Sequence, residues 1–383
     1  MPSFLRRAFA VLAVASGLSF AAPAVASAND ATGHVYVNDN TAGTNTISGY
    51  DRHADGSLTP LPGSPFVAGG SGTGTGLASQ GAIQVSSDGR YVLAVDAGSD
   101  QISVLGIRPD GTLALVPSGP VSSGGSAPVS VAEHNRLVYV ANAGSANSNY
   151  AGFVLGRHGQ LEPLAGSTVP LPATAQPGDV LFNSDGRNLV GTRVGATPAD
   201  SAIDSFRVDQ HGRLDPAPAS PFPAQGPGPF GSEFRPTDPN QLFVSNAHGG
   251  PGAGTVSAFQ AARDGTLFSI GGSPFADNQS APCWVEITHD GRFLFTVNTA
   301  SGSISSYQIA PDGALHLLGN TLVSGGNRAS AVDARLSTDG RDLYVNETKF
   351  GLIGEFAVTG GSLSEIGSIP VATGAGAAGI AVN

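Results

Sequence analysis

The chain has 383 residues, of which 12% are charged, and a formal net charge of −11 at pH 7 with Lys349 as its single lysine. Nucleic acid and anionic membrane surfaces attract basic patches, so this composition excludes both as expected partners. The only cysteine, Cys283, leaves no internal disulfide to stabilise the fold. The chain is long enough for a large core, and no stretch has the composition of an interdomain linker.

Residues 1–28 have the composition of a signal peptide. The basic pair Arg6-Arg7 precedes an apolar run at residues 8–22, and small residues follow at two possible cleavage sites. The run is too short to span a membrane as a helix. The basic pair resembles a twin-arginine export signal, and ordinary secretion remains equally open. We therefore expect an exported protein, secreted, periplasmic or in the cell envelope, with residues 29–383 as one domain.

A unit of about 50 residues recurs along the rest of the chain. Each copy has a strand ending near Val-Asn, a Gly-rich loop, a second strand, an Asp-Gly turn and a short strand. Seven such units predict an all-β, seven-bladed β-propeller of four-stranded blades. In chain order the copies lie around His34-Val35-Tyr36-Val37-Asn38, Asp88-Gly89-Arg90, His134, Asp185-Gly186-Arg187, Asp238, Asp290-Gly291-Arg292 and Asp339-Gly340-Arg341.

The strands of the repeat are apolar on both faces. In the sixth unit Phe293, Phe295 and Val297 alternate with Leu294 and Thr296, which suits blades that pack on both sides. The Asp-Gly pairs between such runs supply the positive φ of a tight hairpin, so we interpret them as structural turns.

The two ends of the chain predict how the ring closes. The first unit begins at His34 without the strand that should precede it, and residues 379–383 form such a strand without a blade of their own. Pairing the C-terminal strand into the first blade would close the ring and remove two exposed edges.

The hairpins that contain Asp-Gly fall on one face of the predicted ring, and the variable loops fall on the other. Function in rigid scaffolds concentrates on varied loops, so we expect a ligand on that face. The variable loops span residues 39–46, 96–101, 142–150, 193–201, 246–254, 298–302 and 346–351.

The axial channel is a second candidate region. Aligning the first strands places mostly polar residues at one level, with Arg335 beside Glu286 across a blade boundary. Two neighbouring carboxylates and an arginine could bind a sugar acid or polarise a carbonyl. The alternative is a wet channel whose charges satisfy one another. The aligned residues are Gln84, Ser130, Leu181, Glu233, Glu286 and Arg335.

The mature chain resembles the lactonase-type seven-bladed β-propellers, the family of bacterial 6-phosphogluconolactonase and fungal carboxymuconate-lactonising enzyme. The resemblance implies hydrolysis of a sugar lactone by His, Arg and Glu side chains near the axial mouth. The residues that carry it are the Asp-Gly-Arg units together with residues 96–100, 140–144, 226–229 and 344–347.

The chain departs from the family at the positions where that chemistry is expected. Only Asn346-Glu347 keeps the Asn-Glu form, and in a different blade. The expected imidazoles are therefore absent from their places, which keeps a binding or scaffold propeller open beside a divergent hydrolase. The replacements are Pro177-Gly178-Asp179 for His-x-His, Arg193-Val194-Gly195 for Asp-Leu-Gly, Phe230-Gly231 for Arg-His and Asn246-Ala247 for Asn-Glu.

The candidate site residues come from the channel and the variable loops. For Trp284 the alternatives are a platform for a sugar ring and a plug between blades. The catalytic candidates are Arg193, Glu233, His248, Glu286 and Arg335. The ligand-binding candidates are Gln84, Asn142, Trp284, Asn346 and Glu347.

We expect no metal and no cofactor. The sequence has no HExxH, Cys pair, Walker-type loop or Ser elbow. Two acidic pairs, Asp96 with Asp100 and Asp200 with Asp204, are interpreted as solvated loop residues rather than ligands. The expected partner is a sugar lactone or a glycan, and the protein is expected to be a monomer.

Overall fold

The computed structural model describes residues 31–195, 200–324 and 331–383, and the predicted signal peptide lies outside them. All regular structure in the described residues is β-strand, arranged as seven antiparallel sheets. Among these residues no helix is long and apolar enough to cross a membrane. The seven sheets confirm the predicted seven-bladed propeller.

In each blade the strands follow one another outward from the axis in chain order, except that the innermost strand of blade 1 comes from the C-terminus. Blade 1 contains β1 (Ala31–Asn38), β2 (Thr46–His53), β3 (Leu58–Pro60) and β4 (Phe66–Val67); blade 2 contains β5 (Ile83–Val85), β6 (Tyr91–Asp96), β7 (Gln101–Ile107), β8 (Leu113–Leu115) and β9 (Val121–Ser122); blade 3 contains β10 (Pro128–His134), β11 (Leu137–Asn142), β12 (Asn149–Leu155), β13 (Leu161–Pro163) and β14 (Val169–Pro170).

The remaining blades follow in chain order. Blade 4 contains β15 (Pro177–Phe182), β16 (Asn188–Arg193), β17 (Ala202–Val208), β18 (Leu214–Pro216) and β19 (Phe222–Pro223); blade 5 contains β20 (Pro229–Arg235), β21 (Asp238–Asn246), β22 (Thr255–Ala261), β23 (Leu267–Ser269) and β24 (Phe275–Ala276); blade 6 contains β25 (Pro282–Ile287), β26 (Phe293–Asn298), β27 (Ser303–Ile309) and β28 (Leu315–Leu322); blade 7 contains β29 (Ala331–Leu336), β30 (Asp342–Glu347), β31 (Leu352–Thr359) and β32 (Ser362–Pro370).

The outermost position differs between blades. In blades 1 to 5 it is divided into two short strands that pair with the same third strand, whereas β28 and β32 are continuous. The four-stranded prediction therefore holds, with the fourth strand broken in five blades.

The C-terminal strand closes the ring as predicted. Strand β33 (Ile380–Val382) pairs antiparallel with β1, with Val382 opposite Val35 and Ile380 opposite Val37. Ile380 is fully buried. A second link joins the first and last blades, because the buried Arg52 lies 2.9 Å from Asp342 and 3.1 Å from Asp339.

The Asp-Gly turns have the backbone conformation that the sequence predicts. Gly89 has a φ of 69° and Gly291 a φ of 67°, in the left-handed region that glycine adopts without steric cost. In each of these turns the aspartate accepts a backbone hydrogen bond from the arginine two residues later, Arg90 and Arg292. We call the side of the ring that carries these turns the hairpin face, and the opposite side the variable face.

Candidate functional site

One ring of side chains faces the axis near its middle. Each member lies on the innermost strand of its blade and pairs with the equivalent residue of the next strand, as Gln84 does with Leu93 and Glu286 with Phe295. In blade 3 this position is Ala132, which pairs with Tyr139, so the alignment of Ser130 is wrong by two residues. The ring consists of Gln84, Ala132, Leu181, Glu233, Glu286, Arg335 and Val382.

The charged part of the ring is centred on Arg335. Its Nη1 atom donates to Glu286 Oε2 at 3.2 Å and lies 3.9 Å from Glu233 Oε2. Glu286 Oε1 also accepts the backbone N–H of Leu336 at 3.1 Å, which fixes that carboxylate. The Arg335 side chain keeps 28% of its surface exposed and Glu233 keeps 20%, so both can meet a ligand in the channel.

The surroundings raise the pKa of both glutamates. Burial raises the pKa of Glu233 well above its usual range, the charge of Glu286 raises it further, and Arg335 only partly opposes them. Burial also raises the pKa of Glu286, against the opposing charge of Arg335. Because Glu286 directly accepts from Arg335 whereas Glu233 does not, Glu233 is the carboxyl more readily protonated.

Sequence reasoning missed a second acidic pair in the channel. Asp179 and Asp333 lie two residues before Leu181 and Arg335, so they stand one level closer to the variable face. Asp179 accepts the backbone N–H and the hydroxyl of Ser232, at 3.0 and 2.6 Å. Burial raises the pKa of Asp179 to about 7 and that of Asp333 to about 6. The period of two in a strand was the signal that could have found them.

Two adjoining cavities occupy the channel at these levels. Their volumes are about 190 and 260 Å³, and Gln84, Ala132, Leu181 and Arg335 line both. The first reaches Asp179 and Gln80, and the second reaches the hairpin face. The charged ring is therefore accessible from the hairpin face, opposite to the predicted ligand face.

A loop at residues 76–81, which we call the cross-channel loop, covers the other end of the charged cavities. The Gln80 amide spans the ring, donating to Ser232 O at 2.8 Å and accepting from Val285 N at 3.0 Å. Gly231 leaves room for this amide, since a Cβ there would lie 2.1 Å from Gln80 Oε1. Trp284 Nε1 holds the same loop by donating to Ser79 O at 2.8 Å.

Two of the catalytic candidates lie away from the charged ring. Arg193 makes a two-pronged ion pair with Asp204, at 2.7 and 2.5 Å, and that carboxylate also accepts the Tyr150 hydroxyl at 3.0 Å. His248 is exposed in a loop of the variable face, where its backbone N–H donates to Pro227 O. The structure brings together Gln84, Glu233, Glu286 and Arg335, and leaves these two outside.

Three ligand-binding candidates lie inside their blades. Asn142, Asn346 and Glu347 are fully buried. Asn142 Nδ2 bridges the loop that follows it, donating to Ser123 O at 3.1 Å and to Asn149 Oδ1 at 2.9 Å. Glu347 Oε1 accepts the backbone N–H of Ser324 at 3.2 Å. Asn142 therefore links the second strand of blade 3 to its third strand and to the end of blade 2, and Glu347 links blade 7 to the end of blade 6.

A family model described as a seven-bladed β-propeller lactonase matches residues 29–168 and 234–377 of the chain. The chain belongs to the seven-bladed β-propeller lactonase family. A search of curated proteins finds no match.

Solved structures of lactonase propellers share the fold. A putative 6-phosphogluconolactonase from Bacteroides fragilis aligns with a TM-score of 0.69 and 20% identity, over 94% of this chain and 99% of that chain. A periplasmic gluconolactonase from Pseudomonas aeruginosa aligns with a TM-score of 0.70 and 18% identity, over 90% and 98%. At this identity the likeness establishes the fold and leaves the activity open.

The lactonase family match omits residues 169–233, which include blade 4 and the start of blade 5. The positions where the resemblance places histidine, arginine and glutamate chemistry fall in or beside this gap. In the structure Val194, Phe230 and Ala247 pack there with Cys283 and Trp284 in one buried apolar cluster. This lactonase propeller therefore has an apolar cluster where the resemblance implies a polar site.

The acidic pairs considered as metal ligands have protein partners. Asp96 accepts from Asn45 at 2.9 Å and from Ser103 at 2.5 Å, and Asp204 is paired with Arg193. In the part of the chain that the structure describes, no group of three His, Cys, Asp or Glu side chains is arranged to hold a metal ion.

Proposed function

We propose that this lactonase-family propeller hydrolyses a lactone in its axial channel, with the substrate entering from the hairpin face. The observation that carries the proposal is the placement of Arg335 between two carboxyls, Glu286 at 3.2 Å and Glu233 at 3.9 Å, beside a cavity. A guanidinium can stabilise the oxyanion that forms when water attacks a lactone carbonyl. The family membership and the lactonase-like neighbours support the same class of reaction.

In the proposed reaction Glu233 acts first as general base and then as general acid. Its ionised form takes a proton from water as the water oxygen bonds to the acyl carbon. The acyl carbon–ring oxygen bond then breaks, and Glu233 returns that proton to the ring oxygen to give the hydroxy acid. A raised pKa suits both steps, because it makes the ionised carboxylate a stronger base towards water than an ordinary glutamate. Glu286 acts as a positioning residue for Arg335.

The test is pH-stat titration of glucono-δ-lactone and its 6-phosphate against purified mature protein. Glu233→Gln and Arg335→Met are expected to lower kcat/KM by about 10²-fold or more. Arg292→Met is the matched control, because the Arg292 side chain is 66% exposed in a hairpin, where it pairs with Asp290 and lies over the Phe293 ring. No turnover above the spontaneous rate, or full turnover in Glu233→Gln, would refute the proposal.

The pH–rate profile tests the role of Glu286. Its negative charge raises the pKa of Glu233. In Glu286→Gln the pKa of Glu233 should fall, so the rising limb of the pH–rate profile should move to lower pH. A loss of rate with an unshifted profile would leave Glu286 with only a structural role.

We also propose that the protein is exported. Residues 1–28 support this with a basic pair followed by an apolar run and small residues. A periplasmic gluconolactonase is among the structural neighbours. Export predicts that the protein is recovered outside the cytoplasm with an N-terminus that follows residue 26 or 28, whereas protein found only in the cytoplasm with residue 1 intact would contradict it.

A second candidate function is ligand binding without turnover. It is favoured by the apolar cluster of Val194, Phe230, Ala247, Cys283 and Trp284 at the variable face. Titration calorimetry with the lactones, in protein that gives no hydrolysis, would distinguish this function from an inactive scaffold.

A further inference from the structure

An apolar pocket of about 250 Å³ lies on the variable-face side of the cross-channel loop. Its lining includes Leu77 of that loop, the aromatic rings of Phe230 and Trp284, and Val332. The two rings form an edge-to-face pair with centroids 5.2 Å apart. Gly76 and Ala78 at its rim are exposed, so the pocket is open to solvent. It does not share a lining residue with the charged cavities.

The polar side chains in this lining already have partners in the protein. Trp284 Nε1 donates to Ser79 O and the Ser79 hydroxyl to Val129 O. The hydroxyls of Thr299 and Thr348 each donate to a backbone carbonyl at 2.8 Å. The lining therefore presents an apolar surface to a ligand. None of these side chains carries a charge, and each of these side-chain donors is already used within the protein.

We propose that this pocket is a binding site for an uncharged apolar group, an aromatic ring or a short alkyl chain. An apolar cavity of about 150 Å³ is large enough to hold benzene, so the present volume accommodates a substituted ring. Burial of such a group against Trp284 and Phe230 supplies the affinity, and a carboxylate on the same ring would lose hydration without gaining a partner. The site is separate from the proposed catalytic channel.

Trp284 is the only tryptophan of the chain, so its fluorescence reports on this pocket alone. Toluene should change the Trp284 emission saturably and should reduce its quenching by acrylamide. Benzoate carries the same ring with a charge, and it should need at least about tenfold higher concentration for the same change. A linear response to toluene, or equal responses to both compounds, would overturn the proposal.

Val332→Phe fills the pocket from its half-buried lining position and should weaken toluene binding about tenfold or more. Val154→Phe is the matched control, since Val154 is 39% exposed on β12 and lies outside the pocket lining; its toluene affinity should stay within about twofold of wild type. Unchanged affinity in folded Val332→Phe would refute the site. If that variant does not fold, acrylamide quenching of the wild type decides, because protection by toluene is required there.

Discussion

The two ends of the propeller axis share one backbone ring and differ in chemistry. Towards the hairpin face the channel holds Arg335 with Glu233 and Glu286, and towards the variable face the pocket is lined by Phe230 and Trp284. The cross-channel loop stands between them, held by Gln80 and Trp284. One propeller axis can therefore hold a charged compartment and an apolar one.

In blade 6 a step of two residues along the innermost strand leads from one compartment to the other. In blade 6 Glu286 belongs to the charged ring, and Trp284, two residues before it on the same strand, lines the apolar pocket. In blade 5 Gly231 lies two residues before Glu233. It has no side chain, and so it leaves room for the Gln80 amide. Side chains two apart point to one side of a strand, so a single strand can contribute to both compartments.

The largest effect is expected from a change that removes both compartments at once. Ala377 and Gly379 line the apolar pocket, whereas Ala381 and Val382 line the charged cavity. Deleting residues 380–383 removes the pairing with β1 and exposes the inner edge of blade 1. We expect the loss to exceed roughly 5 kcal/mol, which is comparable with the whole stability of a domain.

The truncated protein should lose its near-UV circular dichroism and its cooperative thermal transition. Asn383→Ala is the control, since it removes one acceptor, the Oδ1 that His34 N donates to at 3.0 Å, and keeps β33. That variant should lose about 1 kcal/mol or less. A truncated protein that melts like wild type would show that the Arg52 ion pairs close the ring without β33.

A smaller effect is expected from removing the side chain of Gln80, which holds the cross-channel loop between the two compartments. Gln80→Ala deprives Ser232 O and Val285 N of their buried side-chain partner, at a cost of roughly 2–4 kcal/mol. Acrylamide should then quench Trp284 more strongly, because the loop that Trp284 holds is released on one side. The measurements are urea denaturation and acrylamide quenching.

Gln84→Ala provides the comparison for Gln80→Ala. Gln84 is half-buried in the charged ring and accepts only the Glu133 N–H, at 2.8 Å, among the contacts that the described residues make. Channel water can replace that acceptor, so the loss should be about 1 kcal/mol. Equal losses and equal quenching in the two variants would contradict a role for Gln80 in holding the cross-channel loop.

The sequence predicted the propeller and most of the charged ring because each Asp-Gly turn fixes the position of the strand that precedes it. Counting back from Asp290-Gly291-Arg292 and Asp339-Gly340-Arg341 gives Glu286 and Arg335 correctly. Blade 3 has a tighter hairpin, in which His134 pairs directly with Leu137 around two residues of positive φ. The same count therefore gave Ser130 in place of Ala132.

The cross-channel loop, and the charged and apolar character of the two ends of the axis, could not be predicted in this way. Gln80 binds partners 152 and 205 residues away, and no local pattern records contacts across a closed ring. The local contacts of Asn142 could not be predicted either, because an asparagine that links neighbouring strands and one that binds a ligand look alike in sequence. Which face each cavity opens to depends on that loop as well.

The smallest effect is expected from the acidic pair Asp179 and Asp333, which lies beside the cross-channel loop. Burial raises the pKa of Asp179 to about 7 and that of Asp333 to about 6, whereas an unfolded aspartate titrates near pH 4. Between about pH 4 and pH 7 the native protein therefore binds more protons than the unfolded chain, so its free energy of unfolding should fall as the pH rises through this window.

Asp179→Asn removes one of these titrations and keeps an oxygen for the Ser232 donors. The variant should match wild type only near pH 4 and below, where Asp179 is protonated in both the folded and the unfolded protein, and should exceed it by about 1–2 kcal/mol at pH 8, where wild type carries a buried charge. Thermal melts of both proteins from pH 4 to pH 8 measure the difference. Parallel curves would mean that water or Arg335 stabilises the Asp179 anion, and the acidic level would then belong to the solvated part of the channel rather than to its dry end.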